Sequence, residues 1–101
     1  MSSPLVAVFM GSASDEGKMR PASDLLNKLD IPHLFTVSSA HRTPERTAQL
    51  VEKLEAEGCQ VFICGAGMAA HLAGAVAAKT VKPVIGVPID ASPLGGMDAL
   101  L

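Results

Sequence analysis

Short apolar runs alternate with segments of helical periodicity along this chain, and that alternation restricts its fold more than any other feature. Continuous apolar runs are typical of strands that are buried on both faces of a sheet. We predict strands at residues 5–10, 33–38, 61–64 and 84–87. A strand–helix alternation of this kind predicts an α/β domain, in which helices cover both faces of a parallel sheet.

Three helices are predicted between these strands. The first covers residues 19–29, where Pro21 predicts either a kink or a later start. The second begins with Thr43 as N-cap, has Pro44 in its first position and ends at Gly58. The third covers residues 68–80, and a further helix is expected to open at Leu94.

The third helix is apolar on nearly every side and has small side chains, which is typical of a buried helix. A domain of 101 residues rarely surrounds a helix by itself. Two interpretations stay open: the helix is central in a monomer, or it packs against another subunit.

Composition excludes several classes of function. Eight Lys and Arg against ten Asp and Glu give a net charge of −2, which argues against duplex nucleic acid as a partner, and the absence of Trp and Tyr argues against base stacking. No apolar run is long enough to cross a membrane, and the amino terminus lacks the basic start of a signal peptide, so we expect a cytoplasmic protein. Cys59 and Cys64 lack zinc-site spacing and are predicted to be buried thiols. The sequence predicts no metal site.

Glycines, hydroxyls and basic residues follow the predicted strands, and the carboxyl ends of parallel strands are where such folds bind ligands. The serine loop, residues 11–15, offers hydroxyls and free N–H groups suited to phosphate, although Ser14 or Asp15 as a simple helix cap remains an alternative. The His-Arg loop, residues 38–44, holds His41, which can move protons, and Arg42, which can bind phosphate through two bonds. An exposed loop whose basic residues do little is the alternative there.

Two further segments follow the third and fourth strands. The glycine loop, residues 65–71, allows close approach of a ligand or of another backbone, and residues 88–96 follow the last strand. His71 is either a ligand contact or, slightly favoured, a packing residue held by hydrogen bonds.

Four motifs in order resemble one family: the PurE family, the N5-carboxyaminoimidazole ribonucleotide mutases of purine biosynthesis. They are Met-Gly-Ser-Ala-Ser-Asp at residues 10–15, Ser-Ala-His-Arg-Thr-Pro at 39–44, Gly-Ala-Gly-Met-Ala-Ala-His-Leu at 65–72 and Pro-Val-Ile-Gly-Val-Pro at 83–88. The resemblance covers nearly the whole chain. It implies a flavodoxin-like three-layer α/β/α domain, a homo-octamer and a reaction without cofactor.

The resemblance also implies roles for individual residues. His41 corresponds to the general acid and base, and Gly67 belongs to the floor over which carbon dioxide is held. The residues implied to bind the ribonucleotide substrate are Ser12, Ser14, Asp15, Ser39, Arg42, Gly67, His71 and Leu72.

The chain departs from the family pattern at Met68, where the family has glycine, and at Ala73, where it has proline. Family chains also continue with a further strand and helices, so residues 1–101 are expected to form a single PurE-like domain without that carboxyl-terminal part. The alternatives to the mutase are a carboxylase that uses free carbon dioxide and a module that binds a phosphoribosyl ligand without catalysis.

Overall fold

The chain forms a four-stranded parallel sheet flanked by helices. The structure, a computed structural model, describes residues 3–38, 44–67 and 72–89. Its elements are β1 (Val6–Met10), a 3-10 turn (Ala13–Asp15), α1 (Glu16–Lys28), β2 (His33–Val37), α2 (Pro44–Ala56), β3 (Val61–Ala66), α3 (Leu72–Ala77) and β4 (Val84–Pro88). The predicted α/β class and all four strands are confirmed.

The strands lie in the order β2-β1-β3-β4, and every pair is parallel. Val6 opens β1 opposite both His33 and Val61, and Phe62 of β3 lies opposite Val84. This is the strand order of a flavodoxin-like sheet, which agrees with the expectation from the family resemblance.

Side chains alternate between the two faces of β1, and each face has its own core. On one face, Phe9 packs with Phe62 (ring centroids 5.9 Å apart) against α2 and α3. On the other face, Val8 and Met10 pack with Met19 of α1. The helices therefore lie on both sides of the sheet, as predicted.

The start of α1 corrects the sequence prediction, and the end of α2 confirms it. Pro21 lies inside α1 rather than at a late start, because α1 begins five residues earlier at Glu16. A proline in the second turn removes one helical hydrogen bond, the bond to the carbonyl of Gly17, and Gly17 is an exposed residue. At the end of α2, Gly58 adopts φ +103°, which confirms it as the residue that stops this helix.

The third helix ends at Ala77, so the predicted end at Thr80 is wrong; residues 68–71 lie outside the described part. Leu72 and Val76, one turn apart, are buried, whereas Gly74 and Ala77 are exposed. A helix on the outer side of a sheet can bury only one stripe, so the interpretation as a central helix of a monomer is wrong for these residues. The helix expected from Leu94 lies outside the described residues.

Candidate active site

The carboxyl ends of the strands meet along one edge, where backbone hydrogen bonds extend beyond the strands themselves. These bonds run from Ser38 N to Met10 O (2.8 Å), from Gly11 N to Gly65 O (3.1 Å) and from Ile89 N to Ala66 O (3.2 Å). The first residues of the serine loop and of the glycine loop are thus direct neighbours. The prediction that these segments share one edge is confirmed for the described residues.

The strand order places a topological switch point between β1 and β3. From β1 the chain passes to β2 on one side of the sheet, and it then crosses to β3 on the other side. A crevice opens where neighbouring connections leave in opposite directions, and α/β proteins bind ligands there. Gly11 and Gly65 flank this point, so the first residues of the serine loop and of the glycine loop lie where such folds bind ligands.

The serine loop presents two hydroxyls and a carboxylate close together. Ser12 is extended (φ −152°), and its Oγ lies 2.7 Å from the Oγ of Ser14. The same Ser12 hydroxyl donates to Oδ2 of Asp15 at 3.3 Å. Ser12 and Ser14 are exposed, whereas Asp15 is only 8% exposed. The loop therefore combines hydroxyl donors, available to solvent, with a carboxylate acceptor held beneath them.

Asp15 occupies the N-cap position of α1, but its side chain makes no capping hydrogen bond. Ser12, at the corresponding position of the 3-10 turn, makes none either. Simple helix capping therefore does not account for these side chains. A carboxylate in this place is better suited to accept hydrogen bonds from hydroxyl groups than to contact a phosphate.

The glycine loop begins against α1. The position that a Cβ would take on Gly65 is already occupied by the thioether of Met19, which is 3% exposed. A Cβ on Gly11 would lie 3.3 Å from the Cβ of Ala66. Small residues here let the ends of β1 and β3 approach closely, and half-buried Gly67 follows directly.

Leu72, predicted to bind the substrate, has its side chain in the hydrophobic core at 3% exposure. A substrate contact by Leu72 would therefore have to come from its backbone rather than from its side chain. Ser39, His41, Arg42 and His71 lie outside the described residues. The structure does describe the residues on either side of the first three: Ser38 directly follows β2, and Pro44 is the first residue of α2.

Sequence reasoning missed a cleft of about 530 Å³ beside the serine loop, between α1 and β2. In it, the guanidinium of Arg20 lies 4.6 Å from the centroid of the Phe35 ring and pairs with Glu16. Met10 and Val37, the last residues of β1 and β2, also line the cleft. The spacing of Glu16 and Arg20, one helical turn apart, was the available signal.

Both cysteines are buried and free, as predicted. Burial raises the pKa of the Cys64 thiol to about 12 and also raises the pKa of Cys59. Neither thiol is therefore suited to act as a nucleophile near neutral pH. Across residues 3–38, 44–67 and 72–89, no three His, Cys, Asp or Glu side chains come together as metal ligands. Within the same ranges, no helix is both long and apolar enough to cross a bilayer.

Comparison with known proteins gives consistent matches. A family model described as AIR carboxylase matches residues 5–101. An N5-carboxyaminoimidazole ribonucleotide mutase of Pyrococcus horikoshii is 50% identical over 98 residues, which are 97% of this chain and 55% of the relative. A phosphoribosylaminoimidazole carboxylase of Schizosaccharomyces pombe is 47% identical over 100 residues, 99% of this chain and 18% of that protein.

Among solved structures, PurE of Treponema denticola superposes with a TM-score of 0.83 at 29% identity, covering 96% of this chain and 62% of that one. The chain thus spans less than two thirds of the length of the proteins that it matches here.

Proposed function

The chain belongs to the AIR carboxylase family, and from that premise we propose that it acts in purine biosynthesis as an N5-carboxyaminoimidazole ribonucleotide mutase. The reaction moves a carboxylate from N5 to C4 of the aminoimidazole ribonucleotide. The bond between N5 and the carboxyl carbon breaks, and carbon dioxide is held until C4 attacks it. N5 gains a proton and C4 loses one, so the reaction needs no net oxidant, reductant or acid.

The substrate is proposed to bind across the crevice at the β1–β3 switch point. Ser12 and Ser14, with Arg42 and Ser39 of the His-Arg loop, bind the phosphate end, because hydroxyls and a guanidinium are good donors to phosphate oxygens. Asp15 accepts hydrogen bonds from the ribose hydroxyls. The support for this division is the geometry of the serine loop, where exposed hydroxyls lie above a carboxylate that caps no helix.

His41 is proposed as the general acid and base, since an imidazole can both give and accept a proton near neutral pH. The glycine loop, with Gly67, His71 and the backbone of Leu72, forms the floor over which carbon dioxide is held. Carbon dioxide must not escape and water must not enter, which favours small side chains and closely packed backbone. The close approach of Gly11 to Ala66 supports this role.

One observation carries the proposal. The serine loop and the glycine loop, which lie far apart in the sequence, meet through the bond from Gly11 N–H to Gly65 O at 3.1 Å. This contact is the support for proposing that the residues that bind phosphate and ribose lie beside the floor for carbon dioxide. Neither loop alone would indicate this chemistry.

The experiment is carboxylate transfer by the purified protein, followed as conversion of N5-carboxyaminoimidazole ribonucleotide to the C4-carboxylated product. We expect His41→Asn to bind the substrate and to lose about 10²–10⁴-fold in turnover. His33→Asn is the matched control, because His33 lies at the opposite end of β2 and hydrogen bonds to Ser23 at 2.7 Å. Equal turnover in wild type and His41→Asn, or an equal loss in both variants, would refute the assignment.

A carboxylase that adds free carbon dioxide to aminoimidazole ribonucleotide is the second candidate, favoured by the 47% identity to the relative from S. pombe. Only the carboxylase requires bicarbonate with the uncarboxylated ribonucleotide, so the dependence of turnover on bicarbonate separates the two. A module that binds the ribonucleotide without catalysis would show affinity and no turnover.

Assembly and location are part of the same proposal. We expect a homo-oligomer, an octamer by resemblance to the family, that works in the cytoplasm. The exposed small residues of α3, Gly74 and Ala77, support an interface on this helix, since small side chains let another subunit approach closely.

A further inference from the structure

Ser38 and Thr47 form a buried pair of hydroxyls at the edge of the proposed site. Their oxygens, Oγ and Oγ1, lie 2.7 Å apart, and the residues are 7% and 2% exposed. The backbone N–H of Ser38 also donates to Met10 O at 2.8 Å. Ser38 is therefore fixed twice: through its backbone to the end of β1, and through its side chain to the first turns of α2.

The pair brackets the His-Arg loop. Ser38 immediately precedes Ser39, and Thr47 lies in α2, which begins at Pro44. The hydrogen bond spans nine residues of sequence and joins the two ends of the segment that carries His41 and Arg42. Because Met10 directly precedes the serine loop, the same connection ties the His-Arg loop to the serine loop.

A hydrogen bond between side chains is an unusual contact for the buried face of α2, where apolar packing is the norm. Thr47 lies on the buried stripe of α2 with Val51 and Leu54, where a valine of the same shape would pack equally well. Contact between methyl groups tolerates sliding, whereas a hydrogen bond fixes both a distance and a direction. Each of these buried hydroxyls has the other as a hydrogen-bond partner, and no buried polar side-chain atom of the described residues lacks a partner.

We propose that Ser38 and Thr47 are positioning residues that hold the His-Arg loop, and with it His41 and Arg42, in register with the serine loop. Neither touches the substrate; both act through the loop that they bracket. The inference rests on the proposed function for its effect on turnover, while its structural part is independent of the reaction. A displacement of about 1 Å at a reacting group typically lowers the rate about 10²-fold.

Two substitutions at Thr47 distinguish the effect of the hydrogen bond on turnover from the effect of side-chain packing. Thr47→Val keeps the shape and removes the hydroxyl, and Thr47→Ser keeps the hydroxyl and removes a methyl group. We expect Thr47→Val to lower kcat about ten- to a hundredfold, because His41 is displaced, and to raise KM as well, because Arg42 moves with it. We expect Thr47→Ser to retain kcat within about threefold, even where its melting temperature is lower. The reverse ranking would overturn the proposal.

Ser23→Ala is the matched control for Ser38→Ala. Ser23 is also a buried serine, 3% exposed, and its Oγ lies 2.7 Å from Nε2 of His33, away from the carboxyl edge of the sheet. Each variant loses the side-chain hydrogen bond of a buried serine, but only Ser38→Ala should lose turnover at a temperature where both are folded. If Ser38→Ala and Ser23→Ala lower kcat equally, the Ser38–Thr47 pair contributes only to the stability of the fold, and the proposal is wrong.

Amide hydrogen exchange tests the structural part, whichever reaction the protein catalyses. We expect exchange of the peptide that covers residues 39–43 to become at least about tenfold faster in Thr47→Val and to remain near the wild-type rate in Thr47→Ser. Unchanged exchange in Thr47→Val overturns the positioning role. If the wild type shows no mutase turnover while the two Thr47 variants show this exchange pattern, the proposed function is refuted and the positioning role of the pair is not.

Discussion

Replacing Gly65 by alanine tests whether the close contact between α1 and the glycine loop sets the stability of the site. A Cβ at this position would lie 2.7 Å from Cε and 3.1 Å from Cγ of Met19, and it would lie closer still to Sδ. Real carbon contacts are about 3.5–4.0 Å, so the whole end of the Met19 side chain must move. Met19 is 3% exposed and packs with Val8 and Met10, which leaves it little space.

Overpacking of this kind destabilises a protein by about 1–3 kcal/mol. A loss of about 2 kcal/mol lowers Tm by roughly 10 °C in a domain of this size. Far-ultraviolet circular dichroism during thermal or urea unfolding measures the change, because the chain has neither Trp nor Tyr as a fluorescent probe. Turnover should fall as well, since Gly65 O accepts the bond from Gly11 at the start of the serine loop.

A double-mutant cycle identifies the cause. Met19→Ala alone opens a cavity and should cost about 2–5 kcal/mol. In the double variant, the methyl group of alanine at position 65 enters that space, so the double variant should be no less stable than Met19→Ala. Gly17→Ala is the control: a Cβ there meets nothing within 4 Å, and alanine in this exposed helical position should stabilise by up to about 1 kcal/mol. Wild-type stability of Gly65→Ala, or simple additivity in the double variant, would refute the reasoning.

Arg42→Lys should weaken binding of the ribonucleotide by roughly 1.5–3 kcal/mol through loss of a paired phosphate contact; equal affinity for the nucleotide and its dephosphorylated nucleoside in titration calorimetry would contradict this. Ala77→Glu, at an exposed position of the single chain, should leave the fold intact but break the assembly and the activity together, as checked by sedimentation. Gly58→Ala should cost about 1–2 kcal/mol in urea unfolding with turnover unchanged, because φ +103° is strained for alanine and no steric clash adds to it. Between pH 9 and 12 the unfolded chain releases the Cys64 proton while the folded chain retains it, so the free energy of unfolding should fall as pH rises, and Cys64→Ala should flatten that slope.

The sequence predicted most accurately those elements whose formation depends on neighbouring residues in the chain. A continuous apolar run has few alternatives to a buried strand, and all four runs form strands. Pro44 opens α2 and Gly58 ends it, since a fixed φ and a positive φ are properties of single residues. The end of α3 was predicted less well, because alanines favour a helix without specifying where tertiary contacts stop supporting it.

Within the candidate site, the sequence indicated the residue types but not their partners. It identified the serine loop and left two roles for Asp15; only the folded chain, in which that carboxylate makes no capping bond, removes one of them. Ser38 was counted as the end of a strand, although β2 ends one residue earlier at Val37, and Thr47 was correctly counted as part of an apolar face. Their mutual hydrogen bond was invisible, because it depends on how α2 is placed against β2.

The sequence by itself determined which segments are strands, where α2 begins and ends, and that polar residues follow the strands, since these follow from backbone preferences and from the burial of short stretches of chain. The tertiary structure alone decided the order β2-β1-β3-β4, and with it which loops meet at the switch point. It also decided that Met19 fills the space beside Gly65. These features depend on contacts between residues distant in sequence, whose distances are set by the packing of whole elements and not by any local pattern.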